Sequence, residues 1–387
     1  MVIMKRKIKN ILFITGSRGE WGYIRPVLRL IQNDADLDYK LCVTNMHLLP
    51  SYGSPIDEIT KDGFEVHFKP FMALDGYNHF SMAKSLGILI SSISDYLYSN
   101  PPDWIVLAGD RGEQLAGAIV GAYCYIPVAH IQAGELSGNI DGVTRHAIGK
   151  YAHVHFASNQ DASERLIKLG EQDFRVNNVG APQIDEMIDS KIPSLSSLKK
   201  KYSLPINDEY LLFVQHGVTE DYQNVSSQID ISIKSLTKIN IPVVVILPNN
   251  DAGSYMITSC IEKSRTNLFY CYKNLPREDY LGFLNHSKAI VGNSSSGLLE
   301  APTFKVPAVN IGRRQNMRVR GENVIDCDFK IKDIVSSIQR AMSTEFNEYL
   351  IGNCLNPYGD GKSSKRIIEI IKNTKVDDRL LTKLLTY

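Results

Sequence analysis

Charge of one sign is missing from this chain: 43 lysines and arginines face 42 aspartates and glutamates, for a formal net charge of +1 over 387 residues. No global field recruits nucleic acid or an anionic membrane, so neither is an expected partner and any anionic ligand must be held locally. The six cysteines (Cys42, Cys124, Cys260, Cys271, Cys327 and Cys354) lie far apart with no CxxC pair. That spacing offers neither a zinc nor a redox site and reads as reduced thiols of a cytosolic protein. Nowhere do 18 uninterrupted apolar residues occur, so no membrane-spanning helix is expected. The basic start MVIMKRKIKN runs straight into ILFIT, an apolar stretch too short for a signal-peptide core. These absences give the expectation of a soluble, cytoplasmic protein.

What is present is hydrophobic content of 43%, enough for real cores, in a chain too long for one ordinary core. Short β-branched runs alternate with longer helical patterns, which predicts parallel sheets of βα units. Strands are expected at Ile11–Thr15, Tyr39–Thr44, Trp104–Ala108, Val128–Gln132 and Val154–Ala157, then again at Tyr210–Gln215, Val243–Leu247, Leu268–Cys271, Ala289–Val291 and Ala308–Ile311. Between these halves runs DFRVNNVGAPQIDEMIDSKIPSLSSLKKKYSLPINDEY, rich in Pro, Ser and Lys and weakly periodic. The fold class expected is α/β, with two Rossmann-like domains whose parallel sheets face across a cleft. Residues 1–180 form the first domain and 181–365 the second, with a helix over 366–387 crossing back to the first. Ligands of such sheets bind beyond the carboxyl ends of the strands, and every motif below sits there.

ILFITGSRGEWG places a glycine and Arg18 between a strand and a helix start, where free N–H groups would meet an anion and a guanidinium fork suits phosphate. The alternative is a tight turn with a surface arginine. In WIVLAGDRGEQ, Asp110 ends a buried apolar strand, costly unless the carboxylate is used or paired; Arg111 is the rival structural partner. The richest stretch, PVAHIQAGELSGNIDGVTRHAIGK, crowds His130, Gln132, Glu135, Asp141, Arg145 and His146 around four glycines, as acid–base loops do. Asp141 is also a candidate N-cap for VTRHAIGK. The His153/His155 pair reads as structural, since no carboxylate is spaced to complete a metal site.

In the second half, FVQHGVTED aims His216 out of a strand end, and VVVILPNNDAGS places Asn249 and Asn250 at another, as phosphate ligands or turn caps. AIVGNSSSGLLEAP sets Ser294, Ser295 and Ser296 between glycines at a helix start, a cradle for pyrophosphate without metal, with Glu300 one turn on for ribose hydroxyls. It lacks the Gly-Lys-Ser/Thr ending of a Walker loop. VNIGRRQNMRVRGENV then gathers Arg313, Arg314, Arg318 and Arg320, either a solvated loop or charge neutralisation for a departing nucleotide.

Taken in order, TGSRGEWG, GDR, HIQAGELSGNID, the RHAI helix, QH, LPNNDAGS, GNSSSG, RGENV and NPYGDGKSS cover nearly the whole chain. It resembles the hydrolysing UDP-N-acetylglucosamine 2-epimerases of sialic-acid and related nonulosonic-acid biosynthesis. The non-hydrolysing branch carries GTRPE, GDT and DSGG at these places and is less similar. The resemblance implies a glycosyltransferase-B-like fold, a homodimer, a UDP-sugar substrate and no cofactor. It implies Arg18, Gln132, Asn249, Ser294, Ser295, Ser296, Glu300, Arg314 and Arg318 as ligands of the substrate and its nucleotide, with His216 near the diphosphate. Asp110 and Asp141 are implied as catalytic carboxylates, with Glu135 a further candidate nearby. Two departures stand out. Many relatives have Glu in an HIEGG-like sequence where this chain has Gln132, so that carboxylate is not the base here; and Gly217 replaces the Pro or Arg that often follows the histidine.

Overall fold

The computed structural model describes residues 8–50, 56–74, 79–137, 140–189, 192–206, 208–248, 253–264 and 266–386. Among the described residues, twelve strands form two parallel sheets. The first holds β1 (Lys9–Thr15), β2 (Leu37–Val43), β3 (Trp104–Ala108), β4 (Val128–Ala133), β5 (Val154–Ala157) and β6 (Val176–Asn178), in the order β2-β1-β3-β4-β5-β6. The second holds β7 (Leu211–Val214), β8 (Val243–Ile246), β9 (Phe269–Tyr272), β10 (Ala289–Gly292), β11 (Ala308–Ile311) and β12 (Val324–Cys327), in the order β12-β11-β10-β7-β8-β9. All five residues of WIVLA in β3 and all four of VVVI in β8 are buried, as parallel strands with helices on both faces require.

Ten expected strands are present to within two residues at each end. Two of the four edge strands, β6 and β12, were not anticipated. VNN and VIDC carry exposed polar positions and no apolar run, because an edge strand is covered less than a central one. The helices Arg18–Ile31 and His79–Ser99 of the first half run for 14 and 21 residues. Among the described residues no helix is long and apolar enough to cross a membrane.

The chain divides into two compact units. The first comprises Met1–Leu136, Asp141–Glu186 and Tyr358–Tyr387; the second comprises Ser137–Ile140 and Met187–Pro357. Ala181–Glu186 and Tyr358–Lys365 thus pack with the first unit, whereas the sequence suggested the second. The cause is local: Ala181 N–H donates to Tyr358 O at 2.6 Å, and the Asp185 carboxylate accepts the N–H groups of Ser363 and Ser364 at 3.0 and 2.6 Å. Asp185 thereby caps the helix Ser363–Asn373, whose Ile367, Ile368 and Ile371 enter the first core beside Ile24, Val27 and Leu28. Beyond it the tail is held by charge. Lys383 Nζ lies 2.7 Å from Glu171 Oε2 and donates to Gly149 O and Ala152 O at 2.5 and 2.7 Å. The same carboxylate takes Lys150 at 3.0 Å and His155 at 2.9 Å. Burial pushes the Glu171 pKa up, but the His155 bond and the Lys383 charge outweigh it and hold the carboxyl at about 2.

Glu171→Ala removes one partner of a buried charge cluster and leaves Lys383 enclosed. The expected cost is about 3–5 kcal/mol. The melting temperature should fall on the order of 10 °C, with the tail newly open to limited proteolysis. An unchanged melting point and cleavage pattern would show that the cluster does not hold the tail. In the native chain the lowered carboxyl contributes stability above its ordinary pKa of 4.5 and loses it as pH falls towards 2.

Candidate functional site

Each sheet has one point at which the strand order reverses, between β1 and β3 in the first and between β7 and β10 in the second. Loops leaving these strands diverge to opposite faces and open a crevice at their carboxyl ends. Arg18 and Asp110 follow the first pair of strands, and His216 and Ser294–Ser296 the second.

In the first unit β1 leads through Gly16 and Ser17 into the helix Arg18–Ile31. The N–H groups expected to meet an anion are already used. Glu20 Oε2 accepts those of Gly16 and Ser17 at 2.5 and 2.9 Å, and Ser17 Oγ accepts that of Glu20 at 3.4 Å, which completes a capping box. The S-x-x-E spacing announces this box, so the signal was in the sequence. Arg18, half-buried, is the first residue of this helix.

After β3, Gly109 takes φ +89° and turns the chain so that Asp110 follows. Its partner is not Arg111 but Arg145, whose fully buried guanidinium bonds Asp110 Oδ2 and also donates to Glu135 O at 3.1 Å. Arg111 turns instead towards Glu113, with Nε 3.7 Å from Oε2. His130 supports the same turn from below: its ring, pushed down to about pKa 3 by burial, bonds Gly109 O through Nε2 at 2.7 Å and is neutral. Asp141 lies inside the first turn of the helix Ile140–Tyr151 and is not its N-cap. His155 pairs with Glu171 and His153 accepts the Val128 N–H at 3.0 Å, so both are structural.

Gln132 is the strained residue of this edge. It holds φ +60° at the irregularity in β4, is 1% exposed, and neither atom of its amide has a hydrogen-bond partner. A left-handed non-glycine backbone costs about 1–3 kcal/mol and an orphaned buried polar group about 1–3 more. Such costs persist at sites that await a ligand. Glu135 is also buried; Ser158 Oγ donates to its Oε1, while Oε2 has no partner.

In the second unit His216 follows β7 and is tied to the loop after β10. Asn293 Oδ1 accepts the His216 N–H at 2.7 Å and Nδ2 donates to His216 O at 2.9 Å. Asn293 O in turn accepts from Gln315 Nε2 at 2.9 Å and Arg314 Nη1 at 3.2 Å. Asn293, 1% exposed, thus joins three loops. It lay in plain view inside GNSSSG, but the serines beside it carried the chemistry expected there. The helix after them spans only Ser296–Leu299, so its dipole adds little at this loop. Ser296 is largely committed elsewhere: its Oγ accepts from Tyr280 OH at 2.6 Å and donates to Glu300 Oε2 at 2.5 Å. Glu300 Oε1 faces Arg277 at 2.5 Å. No sequence signal marked Tyr280 or Arg277. Ser294 and Ser295 are half-exposed, and Ser294 Oγ accepts the Ser296 N–H at 3.3 Å. Of the arginines, Arg320 serves structure through Asp326 at 2.7 Å, while half-buried Arg318 donates to Ser137 Oγ at 3.2 Å. Asn249 and Asn250 lie outside the described residues.

Comparison with known proteins gives the family and the fold. A family model described as UDP-N-acetylglucosamine 2-epimerase matches residues 29–372. The chain is 34% identical to a UDP-N,N'-diacetylbacillosamine 2-epimerase (hydrolyzing) of Legionella pneumophila, over 98% of this chain and all of that one. It is likewise 34% identical to a UDP-N-acetylglucosamine 2-epimerase of Neisseria meningitidis, over 95% and 96% of the two chains. Among solved structures, UDP-GlcNAc 2-epimerase from Neisseria meningitidis bound to UDP-GlcNAc superimposes with a TM-score of 0.81 at 21% identity, covering 94% of this chain and all of that one. The fold is glycosyltransferase-B-like, and the chain belongs to the UDP-N-acetylglucosamine 2-epimerase family.

Proposed function

We propose that this enzyme is a hydrolysing 2-epimerase that converts UDP-N-acetylglucosamine and water into N-acetylmannosamine and UDP. One observation carries the reading furthest: Asp110, at the switch point of the first sheet, is a carboxylate whose charge is matched by the buried guanidinium of Arg145. Asp110 follows the buried strand β3, and Gln132, whose amide is unpartnered among the described residues, lies in the neighbouring strand β4.

The hydrogen on C2 is not next to a carbonyl, so simple deprotonation is too costly. Elimination avoids this. A carboxylate takes the C2 proton, the C1–O bond to the diphosphate breaks with its electron pair leaving on UDP, and a 2-acetamidoglucal forms. Water then adds, its hydroxyl to C1 and a proton to the opposite face of C2. Asp110 and Asp141 are assigned the proton transfers, with Glu135 a further acid. Arg18, Arg314, Arg318, His216 and the Ser294–Ser295 loop are assigned the charge that develops on the departing phosphate. Gln132 donates or accepts a hydrogen bond but moves no proton, and Glu300 with Asn249 completes the nucleotide site. The reaction so written runs without a cofactor, in a cytoplasmic homodimer.

The Legionella relative's name supports a second substrate of the same class, UDP-N,N'-diacetylbacillosamine, at equal identity. Catalytic efficiencies over a panel of UDP- and GDP-sugars, differing at the sugar's 4-position, decide between them. In D₂O, product formed from UDP-GlcNAc should carry deuterium at C2; unlabelled product would end the elimination scheme. Asp110→Asn should lower kcat roughly 10²–10⁴-fold with UDP affinity nearly unchanged, as read by calorimetry. Turnover that needs an added acceptor sugar would make the chain a glycosyltransferase instead.

Asn293→Ala unpairs both backbone groups of His216. Two lost partners, at about 1 kcal/mol each, should weaken UDP binding roughly tenfold or more while the circular dichroism spectrum is retained. Undiminished UDP affinity would remove His216 from the proposed site.

A further inference from the structure

The helix that follows β9, Arg277–His286, carries two polar side chains that the reaction just described leaves unused. Arg277 and Tyr280 stand three positions apart, so they share one face of it. The helix itself is held firmly. Phe283 and Leu284 are fully buried, Tyr210 OH donates to Phe283 O at 2.7 Å, and Asp279 takes Lys201 and Tyr202 at 2.6 and 2.5 Å. From this support both side chains act on Glu300. Arg277 Nη2 pairs with Glu300 Oε1 at 2.5 Å, the two side chains being 16% and 10% exposed. Tyr280 reaches the other oxygen through Ser296: its OH donates to Ser296 Oγ at 2.6 Å, and Ser296 Oγ donates to Glu300 Oε2 at 2.5 Å.

The order of donors is dictated by chemistry. A carboxylate only accepts, and Ser296 has one hydroxyl proton to give it, so the phenol must supply the proton of the remaining bond. Burial and the Glu300 charge both raise the Tyr280 phenol, which therefore stays protonated. Each carboxylate oxygen is thus held from a different position of one anchored helix. An ionised carboxylate has roughly four lone-pair sites, and these two contacts leave acceptor capacity on both oxygens. Two O–H donors on neighbouring carbons, as in the 2′,3′-diol of a ribose, match such a fixed carboxylate. Glu300 closes the short helix Ser296–Leu299 in the loop after β10, a switch-point strand of its sheet.

We propose that Arg277 and Tyr280 are positioning residues that make this unit selective for a ribonucleotide over a deoxyribonucleotide. They hold Glu300 charged and in one orientation, so that it accepts the ribose hydroxyls. This rests on the reading in which Glu300 faces the ribose of a UDP-sugar. Neither Arg277 nor Tyr280 touches the ligand in this scheme. Without the guanidinium an enclosed carboxylate has no matching charge. Without the phenol the Ser296 hydroxyl is free to rotate, and its bond to Oε2 loses direction. Either change removes the preference for a hydroxyl donor and spares the groups assigned to the phosphates. An ion pair that merely tied the helix to the loop after β10 would instead act on every nucleotide alike.

That difference is measurable. Calorimetric Kd values for UDP and 2′-deoxy-UDP are compared as a ratio within each variant, so that a general loss of affinity cancels. The wild type should prefer UDP roughly tenfold or more, as a hydrogen bond to a charged acceptor gives. Glu300→Gln and Arg277→Met should both bring the ratio close to unity. Arg277→Lys keeps the charge and should retain most of the preference. Tyr280→Phe removes a single oxygen atom and should lower the ratio several-fold, with the circular dichroism spectrum retained. A ratio left unchanged by Arg277→Met and Tyr280→Phe would refute the positioning role, even if both ligands bound more weakly. A wild-type ratio of unity with UDP still bound would end ribose recognition by Glu300 and leave the rest of the nucleotide site standing. A wild type that binds no UDP would overturn the nucleotide reading itself, and the selectivity with it.

Discussion

A buried guanidinium, Arg145, holds together the part of the first unit where chemistry is proposed. It reaches from the helix Ile140–Tyr151 to the Asp110 carboxylate and the Glu135 carbonyl, so the loops after β3 and β4 share one donor. Arginine suits the task because its planar fork serves two acceptors at once and stays charged when enclosed. A carboxylate at the end of a fully buried strand is tolerable on this condition. Without it, the desolvation of Asp110 would have no return.

The same economy of donors runs through both units. Gly16 and Ser17 give their N–H groups to Glu20, Asn293 occupies the backbone of His216, and Ser296 is shared between Tyr280 and Glu300. These polar groups fix loop shapes, which is how a site becomes rigid before its ligand arrives. Against that background Gln132 stands apart. Its amide is buried and unmatched on a backbone that resists any side chain, and relatives with an HIEGG-like motif place a carboxylate there. The chain keeps a costly residue at this position.

Much of this was legible in the sequence, because parallel strands buried on both faces must be continuous apolar runs. WIVLA and VVVI announce themselves for that reason, and the motifs follow because each leaves a strand end. The edge strands VNN and VIDC did not, since half-covered strands tolerate polar residues that look like loop. Partnership was the other blind spot. Arg111 adjoins Asp110 in the chain, yet the partner is Arg145, thirty-five residues on, brought in by a helix that only the fold places. Arg111, the rival partner that adjacency offered, lies past the turn at Gly109 with Nε 3.7 Å from Glu113 Oε2. Asn293 was overlooked because its value lies in backbone geometry, which residue type alone does not disclose.

The first unit is built from both ends of the chain, with Met187–Pro357 and its neighbours set into the middle. Synthesis runs from the amino end, and domains fold as they emerge. The intervening segment contains its whole six-stranded sheet and can close early. The first sheet, by contrast, lacks Ile367, Ile371 and the tail lysine until the residues beyond Pro357 have been made. On the ribosome, therefore, the second-made unit is the first to be complete, and the elder half spends most of its synthesis with an uncovered face.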